Sequence, residues 1–217
     1  MKEEFTFLRA LALVLQGLFV YYIFLKGCKI KMKLIANRAF STRGITTIGI
    51  LTALSIVLVL FARFPLLISY LEYEPGDIPI LIGTFMYGPV VGLVIAAIVS
   101  LVQGFTVSAS SGLYGILMHF IATGTLVLVA GMIYAFHKTQ KGAIVSLSVS
   151  AAVEIAIMLG ANVLITPLFL GIPRSQVLPI LLPIILPFNL IKCAINCTIT
   201  FFIYKPLSKR INYQAKK

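Results

Sequence analysis

Long apolar runs, separated by short polar connections, dominate this 217-residue sequence. A helix needs about 20 consecutive apolar residues to cross the hydrocarbon core of a membrane, and several runs approach or exceed that length. Hydrophobic residues make up 60% of the chain and charged residues 11%, whereas soluble domains hold roughly 45–50% and about 25%. Only helices and closed barrels satisfy their backbone polar groups in lipid, and no alternating pattern indicates a barrel. We therefore predict an all-α membrane protein.

The apolar runs predict six membrane-spanning helices that form one bundle. Gly88-Pro89 separates the second helix from the third, because proline cannot continue a helix from the preceding residue. The six spans are expected at residues 45–62, 78–87, 90–105, 113–136, 143–166 and 177–204.

A further apolar run at 8–25, interrupted by Arg9 and Gln16, precedes these spans. It leaves three readings open: an additional N-terminal hydrophobic helix, an uncleaved signal-like segment, or translation from an upstream start. No small-residue cleavage site follows the run, which argues against removal. We divide the chain into an N-terminal extension at 1–43, a six-helix core at 44–208 and a basic tail at 209–217.

The net charge of +12 is concentrated in a few segments. Lysine and arginine cluster before the first span, in the turn at 137–141 and after residue 204, and they are sparse in the alternate connections. This asymmetry is the positive-inside pattern, so we expect the basic segments in the cytoplasm of a multi-pass plasma-membrane protein. The same asymmetry argues against nucleic-acid binding. The connections expected outside the cell are 63–77, 106–112 and 167–176.

The first external connection holds three of the six acidic residues of the chain, all within the six positions 72–77. Glu72, Glu74 and Asp77 stand between apolar runs, where such a cluster does not stabilise a membrane fold. Pro75-Gly76 shapes the loop between them, and Tyr73 adds an aromatic ring. An acidic loop of this kind is better explained by contact with a polar solute.

A polar stripe marks the sixth predicted span. Asn189, Lys192 and Asn196 recur at i, i+3 and i+7, which places them within about 60° of one another on the helix. A lysine in mid-membrane is costly in lipid and must face the protein interior or an aqueous cavity. Lys192 either pairs with Glu154 of the fifth span or contacts a ligand, and the two roles are compatible.

Other polar and proline residues add to this picture. His119 and Asn162 are candidate ligand contacts, although a lone histidine is more often a satisfied core residue. Pro179, Pro183 and Pro187 each remove an amide donor, so the outer half of the sixth span is expected to be bent or irregular. Irregular backbone at membrane depth is tolerated where it lines a cavity.

Motifs of enzymes and metal sites are missing from the sequence. There is no phosphate-binding Gly-x-x-x-x-Gly-Lys-Ser/Thr loop, no His-Glu-x-x-His and no Gly-x-Ser-x-Gly. Cys28, Cys193 and Cys197 have too few neighbouring ligands for a metal site, and small apolar packing is their expected role. We expect no catalytic residue, metal or cofactor. A membrane-embedded enzyme and a ligand-free scaffold are the competing classes.

Motifs within residues 44–208 carry a family resemblance. The longest is Leu-Glu-Tyr-Glu-Pro-Gly-Asp-Ile-Pro-Ile-Leu-Ile-Gly at 71–83, and the others lie at 87–92, 115–122, 130–134, 165–167 and 186–192. In this order they resemble the substrate-binding S-component of energy-coupling factor (ECF) vitamin transporters, most closely the riboflavin-specific group. The resemblance implies a six-helix bundle that binds its vitamin from outside, beneath the first external loop. It also implies a transmembrane coupling subunit and two ATPase subunits as partners, which supply the energy.

The resemblance also assigns residues to roles. Lys192 matches a sixth-helix lysine that contacts the flavin, while Asn189 stands in the place of an aspartate. His119 occupies the place of an asparagine, and Val99-Ser100 replaces a Lys-Asn pair. These departures keep open another vitamin or precursor, such as thiamine, pantothenate or a folate, in place of riboflavin. The predicted substrate-binding residues are Glu72, Tyr73, Glu74, Asp77, His119, Asn189, Lys192 and Asn196.

Small residues on the first helix of the family meet the coupling subunit, and Gly49 and Ala53 stand at the corresponding positions. Their spacing also permits close approach of two helices, so ordinary internal packing explains the same pattern. Under the resemblance, riboflavin is the transported ligand and ATP hydrolysis belongs to the partner subunits.

Overall fold

A computed structural model describes residues 39–214, apart from the side chains of 68–70 and 207–214. The apolar run at 8–25, for which three readings were left open, lies outside the described residues. The elements are α1 (Thr42–Phe61), β1 (Phe64–Leu66), β2 (Ile68–Tyr73), α2 (Asp77–Tyr87), α3 (Pro89–Phe105), α4 (Gly112–Phe136), α5 (Gln140–Leu170), α6 (Arg174–Ile180) and α7 (Leu186–Gln214).

Four of the described helical segments are long and apolar enough to cross a membrane: α1, α4, α5 and the rod formed by α6 and α7. The apolar helices α2 and α3 are shorter, with 11 and 17 residues. The predicted helical membrane bundle is thereby confirmed.

Local sequence signals set several helix ends. The hydroxyl oxygens of Ser41 and Thr139 accept backbone amides in the first turns of α1 and α5, as N-cap residues do. Gly88 has φ +89° and ends α2, and Pro89 then begins α3 at the position that best tolerates proline. The predicted break at Gly88-Pro89 is confirmed. Gly171, with φ +66°, ends α5.

The first connection contains a β-hairpin, which the sequence analysis did not predict. Strands β1 and β2 pair antiparallel, with Phe64 opposite Tyr73 and Pro65 opposite Glu72. Pro65 is tolerated because a two-stranded sheet consists only of edges. Leu67 turns the chain with φ +72°, a conformation usually left to glycine or asparagine, so no turn motif indicated the hairpin.

The short helix α2 occupies the centre of the bundle and contacts α1, α3, α4 and α7. Its residues from Asp77 to Phe85 are all buried, and Ile80 and Leu81 have no exposed surface. A helix buried on every side needs no polar face, which explains why its sequence is apolar all round. The packing is close, because a Cβ on Gly92 of α3 would collide with the side chain of Thr84.

The boundaries of the last two predicted spans are wrong. Helix α5 continues past the predicted end at 166 and includes Pro167, so the predicted connection 167–176 shrinks to 171–173. Proline removes one amide donor, and in the last turn of a long helix that loss does not end the helix. Helix α7 likewise runs past 204, to Gln214.

The prolines of the last span produce the irregular helix that the sequence predicts. A π-helical turn at Leu181–Ile185 separates α6 from α7. It lies between Pro179 and Pro187 and contains Pro183, so the ordinary hydrogen-bond ladder is interrupted here. The side chain of Ile185 is fully buried, and the next turn of α7 carries the residues that reach the cavity described below.

Candidate functional site

A cavity opens at the end of the bundle that holds the hairpin and the short 3₁₀ turn Ala109–Ser111. Its volume is about 850 Å³, which includes the open space at the mouth. The hairpin, α3, α4, α5 and α7 all contribute to its lining. Among the apolar side chains of the wall are Leu71, Tyr114, Met118, Met158, Ile165, Phe169 and Phe188.

The structure brings the eight predicted substrate-binding residues together from three separate segments. Five of them line the cavity: Glu72, Glu74, His119, Asn189 and Lys192. The other three, Tyr73, Asp77 and Asn196, are buried and join the same hydrogen-bonded network. Their role toward a ligand stays a prediction.

Asp77 is the centre of this network. Its Oδ2 lies 3.3 Å from Lys192 Nζ and accepts a hydrogen bond from Asn196 Nδ2 at 3.0 Å, while its Oδ1 accepts from Thr123 Oγ1 at 2.6 Å. Only 1% of Asp77 and 7% of Lys192 is exposed. A buried ion pair is tolerated when further hydrogen bonds satisfy both partners, as they do for this carboxylate.

The ion pair corrects the predicted partner of Lys192, because the structure pairs the amine with Asp77 instead of Glu154. Glu154 Oε2 instead accepts a hydrogen bond from Cys193 Sγ at 3.0 Å. Cys193 is therefore more than a small apolar packing residue. The other oxygen, Glu154 Oε1, is buried without a hydrogen-bond partner among the described residues.

Glu74 connects the end of the hairpin to α3 and α4. Its Oε1 accepts from Gln103 Nε2 at 2.6 Å, and its Oε2 lies 3.3 Å from His119 Nε2. Burial raises the pKa of Glu74 to about 7, although the charge of Lys192 acts in the opposite direction. The preceding residue, Tyr73, donates its hydroxyl to Asn196 Oδ1 at 2.9 Å and so connects the hairpin to α7.

An ion pair at the rim of the cavity joins Arg63 to Glu72. Arg63 Nη1 also donates to Ser108 Oγ at 2.9 Å, which connects the base of the hairpin to the polar turn after α3. Both charged side chains remain partly exposed, and such pairs contribute about 0–1 kcal/mol. The rim pair positions the hairpin more than it stabilises the fold.

Several cavity residues were not among the predicted site residues. On α5 they are Met158, Ile165, Thr166 and Phe169, which share one helix face with Asn162, a candidate ligand contact of the sequence analysis. Thr166 Oγ1 donates to Asn162 Oδ1 at 2.9 Å, so the two polar members form a pair. This periodicity is visible in the sequence. Together with the polar stripe of the last span, it would have indicated that α5 lines the same cavity.

Gly49 and Ala53 are not among the residues that line the cavity, and both lie on the exposed face of α1. A Cβ added to Gly49 would meet no atom within 4 Å. Internal packing within this chain therefore does not explain the glycine, and the face is open to lipid or to another protein.

Sequence comparison with protein families gives one match that covers most of the chain. The family described as "ECF transporter, substrate-specific component" matches residues 43–204. A solved structure of the S component of a bacterial ECF transporter has a TM-score of 0.67 and 27% identity. The match covers 77% of this chain and 96% of that one.

Two curated relatives are named as riboflavin transporters. Riboflavin transporter RibU of Staphylococcus aureus (strain TCH60) is 29% identical over 119 residues, which are 54% of this chain and 61% of that protein. The match thus spans less than two thirds of that relative. Riboflavin transporter FmnP of Bacillus subtilis (strain 168) is 28% identical over 139 residues, which are 63% of this chain and 73% of that protein.

Fold, family match and structural likeness agree with one another over the same helices. A membrane-embedded enzyme, one of the two competing classes, is thereby set aside. The chain belongs to the family of substrate-specific components of ECF transporters, and it is a membrane transporter subunit.

Proposed function

We propose that this chain captures riboflavin at the outer face of the plasma membrane for uptake driven by an ATP-dependent energy-coupling module. The two relatives named as riboflavin transporters support the choice of ligand. The observation that carries the proposal is the cavity, which combines an apolar wall with a few polar and charged side chains. Thiamine, pantothenate and folate are the alternative ligands.

The chemistry of the cavity fits a flavin. Riboflavin has a flat, largely apolar ring with polar edges and a hydroxylated tail, and sites for such molecules combine apolar walls with few polar anchors. Phe188 offers an aromatic face, and the thioethers of Met118 and Met158 adapt to a ring edge. Lys192 and Asn189 can donate to ring carbonyl oxygens. The hydroxyl-rich tail then lies toward the acidic hairpin.

Ligand identification tests this proposal directly. The full chain, purified in detergent, is titrated with riboflavin, thiamine, pantothenate and folate, and flavin fluorescence quenching reports the first of these. We expect saturable quenching by a stoichiometric site and no competition from the other three vitamins. Binding of thiamine, pantothenate or folate without flavin quenching would replace riboflavin by that ligand.

The orientation and the partners belong to the same proposal. The basic segments support a cytoplasmic location for the end opposite the cavity, and the hairpin then faces outside. The partners are a transmembrane coupling subunit, which meets the α1 face around Gly49 and Ala53, and two ATPase subunits. Impermeant labelling of cysteines introduced at residues 63–77 in intact cells tests the orientation, and labelling only after lysis would reverse it.

A further inference from the structure

His119 and Glu74 meet beside the cavity, and the hydrogen bonds around them fix the position of the imidazole proton. Ser100 Oγ lies 2.7 Å from the Ala96 carbonyl oxygen and 2.7 Å from His119 Nδ1. The carbonyl oxygen carries no hydrogen, so the serine hydroxyl donates to it. Because that hydroxyl has only one hydrogen, Nδ1–H of His119 donates to Ser100 Oγ. The other ring nitrogen, Nε2, is then unprotonated in the neutral imidazole.

The unprotonated Nε2 faces two carboxylates. It lies 3.3 Å from Glu74 Oε2 and 3.9 Å from Asp77 Oδ1, and the side chains of Glu74 and His119 are each 5% exposed. A nitrogen lone pair and an ionised carboxylate repel each other at this distance when no water separates them. Asp77 already accepts from three donors, as described above. A proton between Nε2 and Glu74 therefore relieves the contact.

The charged groups around Glu74 and His119 are already paired with one another and do not replace that proton. On the neighbouring elements, Lys192 is paired with Asp77 and Arg63 with Glu72, while Gln103 is neutral. Of the two described carboxylates that line the cavity, Glu74 is the one without a lysine or arginine partner within ion-pair distance. Burial raises its pKa to about 7, in keeping with a proton held at neutral pH. The remaining titratable groups nearby are Tyr73, Glu154 and Cys193.

We propose that one proton shared by Glu74 and His119 fastens the hairpin to α4 and so closes the cavity wall around the ligand. His119 is in this respect a positioning residue, since it acts through Glu74 and the hairpin. Glu74 directly follows β2, whose Leu71 and Glu72 line the cavity, so a change at Glu74 moves the lining. The raised pKa sets the sign: the fastening is complete in acid and is lost as pH rises through about 7.

The pH dependence of riboflavin affinity tests the shared proton, and this arm rests on the proposed function. Above the pKa of Glu74, we expect the dissociation constant to rise by up to about tenfold per pH unit, and at least about tenfold between about pH 6 and pH 8.5. In Glu74→Gln the amide donates to Nε2 permanently, so we expect less than about threefold change over the same range, whatever its affinity at pH 6. His119→Ala removes the acceptor nitrogen and should also flatten the profile.

Glu154→Gln is the matched control, because it neutralises another buried acid that does not contact the hairpin. It should keep the pH slope of the unsubstituted chain. A flat profile in the unsubstituted chain, or a native slope in folded Glu74→Gln, would overturn the proposal.

A second measurement does not need a ligand. The chain has two histidines, and His137 lies exposed beyond the end of α4, where it serves as an internal reference. Nitrogen-15 spectra of the imidazoles in detergent should show His119 with Nδ1 protonated and with Nε2 signals that change between about pH 6 and pH 8.5, but not in Glu74→Gln. Protonation at Nε2 instead of Nδ1 at the higher pH would contradict the proposal. If no riboflavin binds at any pH, the proposed function fails while these spectra still decide the shared proton.

Discussion

At the scale of single residues, the site depends on a buried charge pair. Lys192 lines the cavity and holds Asp77 at 3.3 Å beneath it. Removing either partner leaves the other charge buried and unpaired, which is far more costly than the loss of an exposed pair. Loss of either residue is therefore expected to destabilise the protein, and only the loss of Lys192 also removes a side chain that lines the cavity.

Lys192→Ala is expected to weaken riboflavin binding at least about tenfold, or about 1.4 kcal/mol, because the ligand loses a hydrogen-bond donor of the cavity wall. Fluorescence quenching of the purified variant measures the change. Lys141→Ala, an exposed lysine near the start of α5, is the matched control and should bind as the unsubstituted chain does. Unaltered flavin affinity in a folded Lys192→Ala variant would remove this lysine from the site.

Asp77→Ala is expected to destabilise the protein by about 3–5 kcal/mol, because it leaves the Lys192 amine buried without its counter-charge. Glu72→Ala breaks the partly exposed rim pair and should cost no more than about 1 kcal/mol. Thermal unfolding in detergent compares the two variants. Equal unfolding midpoints would show that burial does not make the Asp77 pair different from the rim pair.

At the scale of secondary-structure elements, the position of the site depends on how closely α2 packs. The helix begins at Asp77 and reaches the core through Ile80 and Leu81, so any outward shift of α2 also moves the acid. Gly92 allows α3 to approach α2 closely enough for that packing. Apolar packing and site geometry are therefore coupled through one short helix.

Gly92→Ala should destabilise the chain by about 1–3 kcal/mol, because its Cβ would overlap the Thr84 side chain and overpack the core. Gly160→Ala lies on an exposed part of α5 with no atom within 4 Å of the new Cβ. This control should be neutral or stabilising by about 0.5–1 kcal/mol, since alanine favours helix over glycine. Thermal unfolding checks both, and the opposite order of midpoints would contradict the packing argument.

At the scale of the whole molecule, the cavity and the exposed face of α1 are two separate surfaces. The cavity lies at one end of the bundle, and the exposed face of α1 around Gly49 and Ala53 lies on its side. Under the proposed function, we expect substitutions on the exposed face of α1 to affect assembly with the coupling subunit and to leave ligand binding unchanged.

Gly49→Leu is expected to leave riboflavin binding by the isolated chain unchanged, because nothing within this chain lies within 4 Å of a new Cβ. Flavin uptake by cells, and co-purification with the ATPase subunits, should fall at least about tenfold as the bulky side chain blocks the coupling subunit. Gly160→Leu is the matched control on α5, which is equally open and should retain uptake. Normal uptake by Gly49→Leu would exclude this face as the contact.

The sequence predicts those parts of the fold and site that follow from local pattern. Apolar run length gave the bundle, and helical spacing placed Asn189, Lys192 and Asn196 on one face. The pairing of Lys192 with Asp77 instead of Glu154 depends on the relative heights of α2, α5 and α7, which no local pattern encodes.

The hairpin was not predicted for a reason that differs from the one for the Lys192 pair. Its turn at Leu67 uses a positive φ without glycine or asparagine, so tertiary contacts and not turn chemistry hold it. The contacts that hold it, from Tyr73 to Asn196 and from Glu74 to Gln103, join residues far apart in the chain.

The dense packing around α2 has a consequence for the path that a ligand takes. Next to the cavity the bundle is filled by Ile80, Leu81 and their neighbours, which are buried. Under the proposed function, we expect a ligand to enter and leave this conformation by the same mouth, because the buried core fills the bundle on the other side of the cavity. Under the same proposal, release of the ligand on the other side of the membrane requires the coupling subunit and the ATPase subunits.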